Sequence, residues 1–115
     1  MAEVMLGRAP IDPAKVDRLT AWFDELHERE AEVIKTLEHE GVYTESAFLQ
    51  ASSDTFYLYV YMEADDLEKA DEAGDEEKYR IDEEHHEVLS DVRIGDWEML
   101  ETIGHFTNPH KRASQ

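Results

Sequence analysis

The stretch Thr55-Phe56-Tyr57-Leu58-Tyr59-Val60-Tyr61-Met62-Glu63 alternates between two sets of side chains. This period of two is typical of a β-strand, because successive side chains of a strand point to opposite faces of the sheet. We expect helices to cover the apolar face of the strand. The other face is aromatic with polar tips, which suits a semi-polar cavity or an interface. It carries Tyr57, Tyr59, Tyr61 and Glu63.

The residues before this strand predict a hairpin partner and a long helix. Residues 42–51 predict a second strand, joined to the first by the loop Ser52-Ser53-Asp54. Asp12-Pro13 is a helix start, since Asp is a preferred N-cap and Pro is tolerated in the first turn. Apolar residues then recur at helical spacings up to Gly41, so we predict one continuous amphipathic helix.

The two ends of the chain supply the remaining elements. Residues 3–9 predict a first strand and residues 97–106 a last one. Residues 64–93 predict two helical pieces divided near Gly74, the second with Asp82 as N-cap. The order β-α-β-β-α-β is the ferredoxin-like plan, an α+β fold with a four-stranded antiparallel sheet. We predict one domain over residues 1–106 and a polar tail over 107–115.

The aromatic face of the predicted sheet needs a cover. Both helices lie on the other face in this plan, so the tyrosines would form a large exposed apolar patch. A second copy of the sheet, related by a two-fold axis, is the simplest cover. We therefore predict a homodimer in the form of a dimeric α/β barrel.

The charge balance indicates where the protein works. The chain has 29 Asp and Glu against 11 Lys and Arg, a net charge of −18, whereas a small domain usually carries about 2 to 8. Salt screens such self-repulsion, which favours a halophilic cytoplasm. The same charge argues against nucleic-acid and anionic-membrane partners. Cysteine is absent, so disulfides are excluded, and no signal peptide or membrane helix is predicted.

Two runs of sequence carry a resemblance to known proteins. They are Glu40-Gly41-Val42-Tyr43-Thr44-Glu45-Ser46-Ala47-Phe48-Leu49 and Tyr59-Val60-Tyr61-Met62-Glu63-Ala64-Asp65-Asp66-Leu67. Together with the order of elements, these runs resemble the dimeric α/β-barrel superfamily. Within it, the chain is most similar to small acidic haloarchaeal proteins of unknown function. The resemblance implies a ligand cavity, either between the sheet and the helices or within the barrel.

The hairpin and the acidic turn after it are also similar to L-rhamnose mutarotase. That family places a histidine near the middle of the first helix, and His27 lies about one residue from that position. Glu45 stands where the family has a hairpin tyrosine. This departure argues against sugar epimerisation.

The tyrosine face is the first candidate site. Its phenol groups, with Glu63, could orient a small polar ligand or place a proton donor beside a base. The hairpin register determines whether a further set of side chains shares that face: Thr44, Ser46, Phe48 and Gln50. The alternative is that the tyrosines only pack at the dimer interface.

Two histidines are candidate acid–base residues, because imidazole titrates near neutral pH. His105 shares strand parity with Trp97 and Glu101, and the three would form one pocket wall with Glu101 orienting the imidazole. His27 borders the apolar stripe of the long helix, near Asp24. The alternatives are a partly exposed histidine at a strand end and a histidine paired to a carboxylate at the edge of the stripe.

The run Glu83-Glu84-His85-His86-Glu87 raises the question of a metal site. Asp82, Glu83 and His86 could form a carboxylate-rich metal binder. A di-iron bundle would need matching ligands on the other helix, and they are not there. We interpret the run as surface charge with incidental histidines, and we predict no metal and no organic cofactor.

These observations predict a protein that binds a small organic molecule in an aromatic pocket of a dimeric barrel, with conversion of that molecule left open. The pocket would be lined by Tyr57, Tyr59, Tyr61, Glu63, Trp97 and Glu101, with His105 or His27 as the acid–base residue. The alternative is a non-catalytic stress or interaction protein whose tyrosine face only seals the dimer. A cavity in the structure would favour the first.

Overall fold

A computed structural model describes residues 2–112 of the chain. Four strands, five α-helices and one 3-10 turn (Pro13–Lys15) make up this part. In chain order they are β1 (Glu3–Ile11), α1 (Val16–Glu28), α2 (Glu30–Glu40), β2 (Val42–Ser52), β3 (Thr55–Ala64), α3 (Leu67–Asp75), α4 (Arg80–Val92), β4 (Glu98–Met99) and α5 (Pro109–Arg112). Residues 113–115 of the predicted tail lie outside the described residues.

The four strands form one antiparallel sheet in the order β2-β3-β1-β4. This arrangement is the ferredoxin-like α+β fold, as the sequence predicts. The predicted hairpin is confirmed, with Ser53 in a positive-φ conformation at its tip. Leu58 and Val60 of β3 are buried in a core with residues of α1 and α4, including Leu19, Ile81 and Val92. The helices therefore pack on the face of β3 that the alternation assigns to them.

The predicted long helix is in fact two helices that meet at Arg29. The backbone leaves helical geometry there, at φ −107° and ψ 34°. The Arg29 guanidinium binds Glu25 and Glu32 on the same helices and Glu84 on α4, at 2.7 to 2.8 Å. No Gly or Pro marks the break in the sequence. The apolar residues keep their helical spacing across it, which is why the sequence predicts one helix. The predicted end at Gly41 is confirmed, where a left-handed φ of 72° terminates α2.

The helix after α3 begins at Arg80, two residues before the predicted N-cap. Tyr79 is the N-cap, and Asp82 is the third helical residue. The Asp82 carboxylate accepts a hydrogen bond from the Tyr79 backbone amide at 3.0 Å. The pattern therefore identified the capping carboxylate but placed it three residues too early in the helix.

The predicted last strand, over residues 97–106, is only two residues long. One further backbone hydrogen bond, from the Leu100 amide to the Leu6 carbonyl at 2.9 Å, extends its pairing with β1. Beyond it the chain is irregular, and Ile103 and Phe106 are each 95% exposed. The alternation of side chains indicates that a segment has two faces. A β-strand also needs a neighbouring strand for hydrogen bonding, and the alternation does not show whether one is present.

None of the helices within residues 2–112 combines the length and the apolar character that a bilayer crossing requires.

Candidate functional site

A cavity of about 440 Å³ lies between the sheet and the helices α2, α3 and α4. Ligand sites in proteins typically occupy about 300 to 1,000 Å³. Met5, Val60 and Met62 line it from the sheet, while Leu37 and Leu67 line it from the helices. This apolar lining suits the body of a small organic molecule.

Carboxylates and histidines interrupt the apolar lining at one side. They come from three elements and are Glu40 at the end of α2, Glu45 on β2, and Asp82, His85 and His86 on α4. Glu45 pairs with Met62 across the hairpin, so it shares the face that the helices cover. The fold thus brings together ionisable groups that are far apart in sequence.

Asp82 is fixed by two hydrogen bonds. The Thr36 hydroxyl donates to its Oδ1, and the Tyr79 amide donates to its Oδ2. The side chain is buried, and its bonds tie α2 to the start of α4. The main role of Asp82 is therefore structural: it holds the cavity wall together.

His85 is held neutral in one tautomer. The Trp22 indole N–H donates to its Nδ1 at 2.9 Å, so Nδ1 is unprotonated and Nε2 carries the proton. Burial, with a contribution from the charge of nearby His86, lowers the pKa of His85 to about 4. At neutral pH the ring is an uncharged group with its Nε2–H as donor.

Glu40 and Glu45 hold protons more strongly than ordinary glutamates. Burial, and then the charges of Glu45 and Asp82, raise the pKa of Glu40 to about 7. Burial raises the pKa of Glu45. Within residues 2–112, no side-chain hydrogen bond or ion pair satisfies either carboxyl group. Glu40 can therefore exchange a proton with a ligand near neutral pH.

A second cavity, of about 490 Å³, opens between α1 and β2. His27 and Phe23 line it from α1, and Glu45 lines both cavities. His27 is exposed at this outer cavity. The sequence-predicted acid–base residue thus lies near the site without reaching its inner part.

The other face of the sheet holds the predicted tyrosine cluster. The register places Tyr57, Tyr59, Tyr61 and Glu63 together, and it adds all four uncertain hairpin residues: Thr44, Ser46, Phe48 and Gln50. Arg8 lies among them, with its guanidinium 4.4 Å from the centre of the Tyr57 ring. It donates to the Tyr59 hydroxyl at 3.3 Å and to Glu98 at 2.7 Å. Within the described residues, no helix packs over this face.

The three residues predicted to form one pocket wall are separated. His105 lies on the tyrosine face, where its Nε2 is 3.4 Å from the carboxylate of Glu63, itself 1% exposed. Trp97 packs against the core on the helix side and lines the inner cavity, while Glu101 is exposed. The shared-wall prediction is wrong, because strand geometry ends at Met99 and parity has no meaning beyond it.

Comparison with known proteins places the chain in a family. A family model matches residues 2–111, nearly the whole sequence. The chain belongs to the family of unknown function DUF6176. Among curated proteins, none is significantly similar to it in sequence.

Solved structures share its fold. A candidate antibiotic biosynthesis monooxygenase from Bacteroides thetaiotaomicron matches with a TM-score of 0.62 and 15% identity, over 91% of this chain and 90% of that one. A second such protein, from Nitrosomonas europaea, matches at 0.60 and 11%, over 86% of each chain. A conserved protein from Methanosarcina mazei Go1 matches at 0.59 and 18%, over 87% and 89%. At these identities the likeness establishes the fold alone. It lends no support to the haloarchaeal or L-rhamnose mutarotase resemblance.

Sequence reasoning missed the ionisable side of the inner cavity, although two signals were present. His85 falls on the apolar stripe of α4, with Ile81 four residues before it and Val88 three after. The interpretation of His85 as an incidental surface residue is therefore wrong. Glu45 shares strand parity with Ala47. Within residues 2–112, no three His, Asp or Glu side chains are arranged to hold a metal ion.

Proposed function

We propose that this protein binds a small organic molecule in the inner cavity between its sheet and its helices. The supporting observation is an apolar space of about 440 Å³ into which two carboxyl groups without partners project. The names of two structural neighbours, candidate monooxygenases of antibiotic biosynthesis, are consistent with a small-molecule substrate.

The proposal assigns roles to the residues of the cavity. His85 offers a fixed Nε2–H donor, and Trp97 contributes an aromatic wall. If the ligand is converted, Glu40 or Glu45 is the group suited to move a proton, because the raised pKa of each lies nearer neutral pH than an ordinary glutamate's. We therefore propose these two for proton transfer in place of His27 and His105.

A neutral fluorescent probe, 1-aminoanthracene, tests the location of the site. We expect its fluorescence to rise on binding to the wild-type protein. Leu37→Trp puts a larger side chain into the cavity and should abolish this rise. Leu100→Trp is the matched control, because Leu100 is exposed and outside the cavity.

Circular dichroism of Leu37→Trp tests whether the variant is folded. Met62→Phe is a second variant that fills the cavity with a smaller increase in side-chain size. Probe binding that survives both folded variants would place the site elsewhere.

We also propose that a second copy of the chain covers the tyrosine face. Phe48 is 58% exposed there, and Ile103 and Phe106 extend almost fully exposed from the segment after β4. An exposed apolar surface of this kind is typical of an interface. Light scattering behind size exclusion, in molar KCl, should give about twice 13.4 kDa.

Ile103→Ser should shift this dimer to monomer on dilution, because it removes an apolar side chain that the partner copy would bury. Ile34→Ser is the control, since Ile34 is also an exposed isoleucine but lies on α2. A wild-type monomer at all concentrations would rule out the second copy.

The tyrosine face has two possible uses in such a dimer. Tyr57, Tyr59, Tyr61 and Glu63 would line a ligand site within the barrel, or they would only seal a non-catalytic stress or interaction protein. The Leu37→Trp background, in which the inner cavity is filled, distinguishes the two uses. Residual probe binding that Tyr61→Phe and His105→Ala both abolish favours the ligand site, and no residual binding favours the seal.

A further inference from the structure

The inner cavity carries charge of one sign. Five carboxyl groups line it: Glu40, Glu45, Asp71, Asp75 and Asp82. None of the described residues that line it is Lys or Arg. Arg29, at the junction of α1 and α2, is bound to three other glutamates. The cavity therefore lacks a cation of its own.

The two histidines in the wall do not reverse this sign, and His86 lies 3.1 Å from a further carboxylate, that of Glu77. Trp22 donates to His85 Nδ1, and burial lowers the pKa of the ring to about 4. A neutral imidazole carries an N–H donor but no net charge to balance the carboxylates. At neutral pH the balance of the cavity thus remains negative.

Glu45 is the residue that points to a ligand. Its side chain is exposed to the open space of the cavity, and the protein around that space raises its pKa. No hydrogen bond or ion pair within residues 2–112 satisfies its carboxylate. The carboxylate is therefore solvated in the cavity and open to a ligand. A charged donor such as an ammonium group forms a stronger hydrogen bond with it than a neutral donor does.

Glu40 supplies a second oxygen donor for the same cation. Its carboxyl group lies against Gly74 of α3, close enough that a Cβ at Gly74 would be 2.9 Å from Oε2. Its charge interacts with that of Glu45. Two like carboxylates in one recess repel each other, and a positive ligand group between them removes that repulsion.

We propose that the ligand of the inner cavity is a protonated organic amine, with its ammonium group bound by Glu40 and Glu45 and its apolar body on the sheet floor of Val60 and Met62. This inference rests on the proposed function, since it names the ligand class of the same cavity. Charge-assisted hydrogen bonds supply the affinity, and the apolar lining supplies the fit.

Three aromatic probes of nearly equal size test the sign of the charge. They are 9-aminoacridine, which is a cation at neutral pH, the neutral 1-aminoanthracene, and the anion anthracene-9-carboxylate. Titrations in about 1 M KCl screen the long-range attraction of the acidic surface. We expect the cation to bind at least about tenfold more tightly than the neutral probe, and the anion to bind most weakly.

Glu45→Gln and Glu40→Gln should each reduce the ratio of cation to neutral affinity by about tenfold. Glu83→Gln is the matched control, because Glu83 is exposed on α4 outside the cavity and its replacement changes the net charge equally. Its ratio should equal that of the wild type.

The outcomes separate this inference from the proposed function. Equal binding of the three probes, or a ratio unchanged in both cavity variants, overturns the amine ligand while the cavity remains a binding site. Binding of all three probes that is insensitive to folded Leu37→Trp overturns the proposed function and the inference together.

Discussion

Replacing Glu40 by Gln should stabilise the protein at alkaline pH and leave it unchanged at acid pH. Burial and the charges of Glu45 and Asp82 raise the pKa of Glu40 from an ordinary 4.5 to about 7. The folded state therefore binds this proton more strongly than the unfolded state does. The resulting stabilisation is fully present below 4.5 and is lost as the pH rises through 7. Gln imitates the protonated form at every pH.

The size of the effect follows from the difference in pKa between the folded and unfolded states. A carboxyl group whose pKa rises this far would, if fully buried, destabilise the folded state by about 3 kcal/mol once ionised. Glu40 is only half-buried, so water screens much of this cost. We expect Glu40→Gln to gain about 1 kcal/mol at about pH 8, equivalent to about 4 °C in Tm, and close to nothing at about pH 4.5.

Urea unfolding followed by circular dichroism, in about 1 M KCl, measures this free energy of unfolding. Glu38→Gln is the control, because Glu38 is exposed on the same helix and its replacement changes the net charge equally. A gain in Glu40→Gln that is the same at both pH values, or that Glu38→Gln matches, would refute the assignment of a half-buried, proton-binding carboxyl group at this position.

Three further predictions concern stability. The acid excess should make Tm rise steeply between millimolar and molar KCl, as expected for a protein of a halophilic cytoplasm. A Tm that does not depend on salt would mean that the acid excess has another cause. Trp22→Phe leaves His85 Nδ1 without its donor and should lower the free energy of unfolding by about 1 to 3 kcal/mol in urea titrations; a loss well below that range would argue against the hydrogen bond. Gly41→Ala forces a left-handed φ on alanine and should lower the free energy of unfolding by about 1 kcal/mol in the same titration. Gly104→Ala, in the irregular segment, should leave this free energy unchanged. Equal losses in the two variants would contradict the strain at Gly41.

The order of elements was predictable from local patterns. The alternation over Thr55–Glu63 assigned both faces of β3 correctly, and Gly41 marked the end of α2. Patterns of this kind report backbone geometry that each residue shares with its sequence neighbours. The break at Arg29 was not predictable in this way, because ion pairs to another helix stabilise it and no Gly or Pro announces it.

The sequence by itself determined the ferredoxin-like order of elements, the tyrosine face and the acidic charge. Only the tertiary structure decided which face of the sheet holds the inner cavity and which groups line it. Glu40, Glu45 and His85 come from three separate elements. Their proton affinities arise from burial and, for Glu40 and His85, from the charges of neighbouring groups. Such effects depend on distances through space, which a linear pattern of residues does not contain.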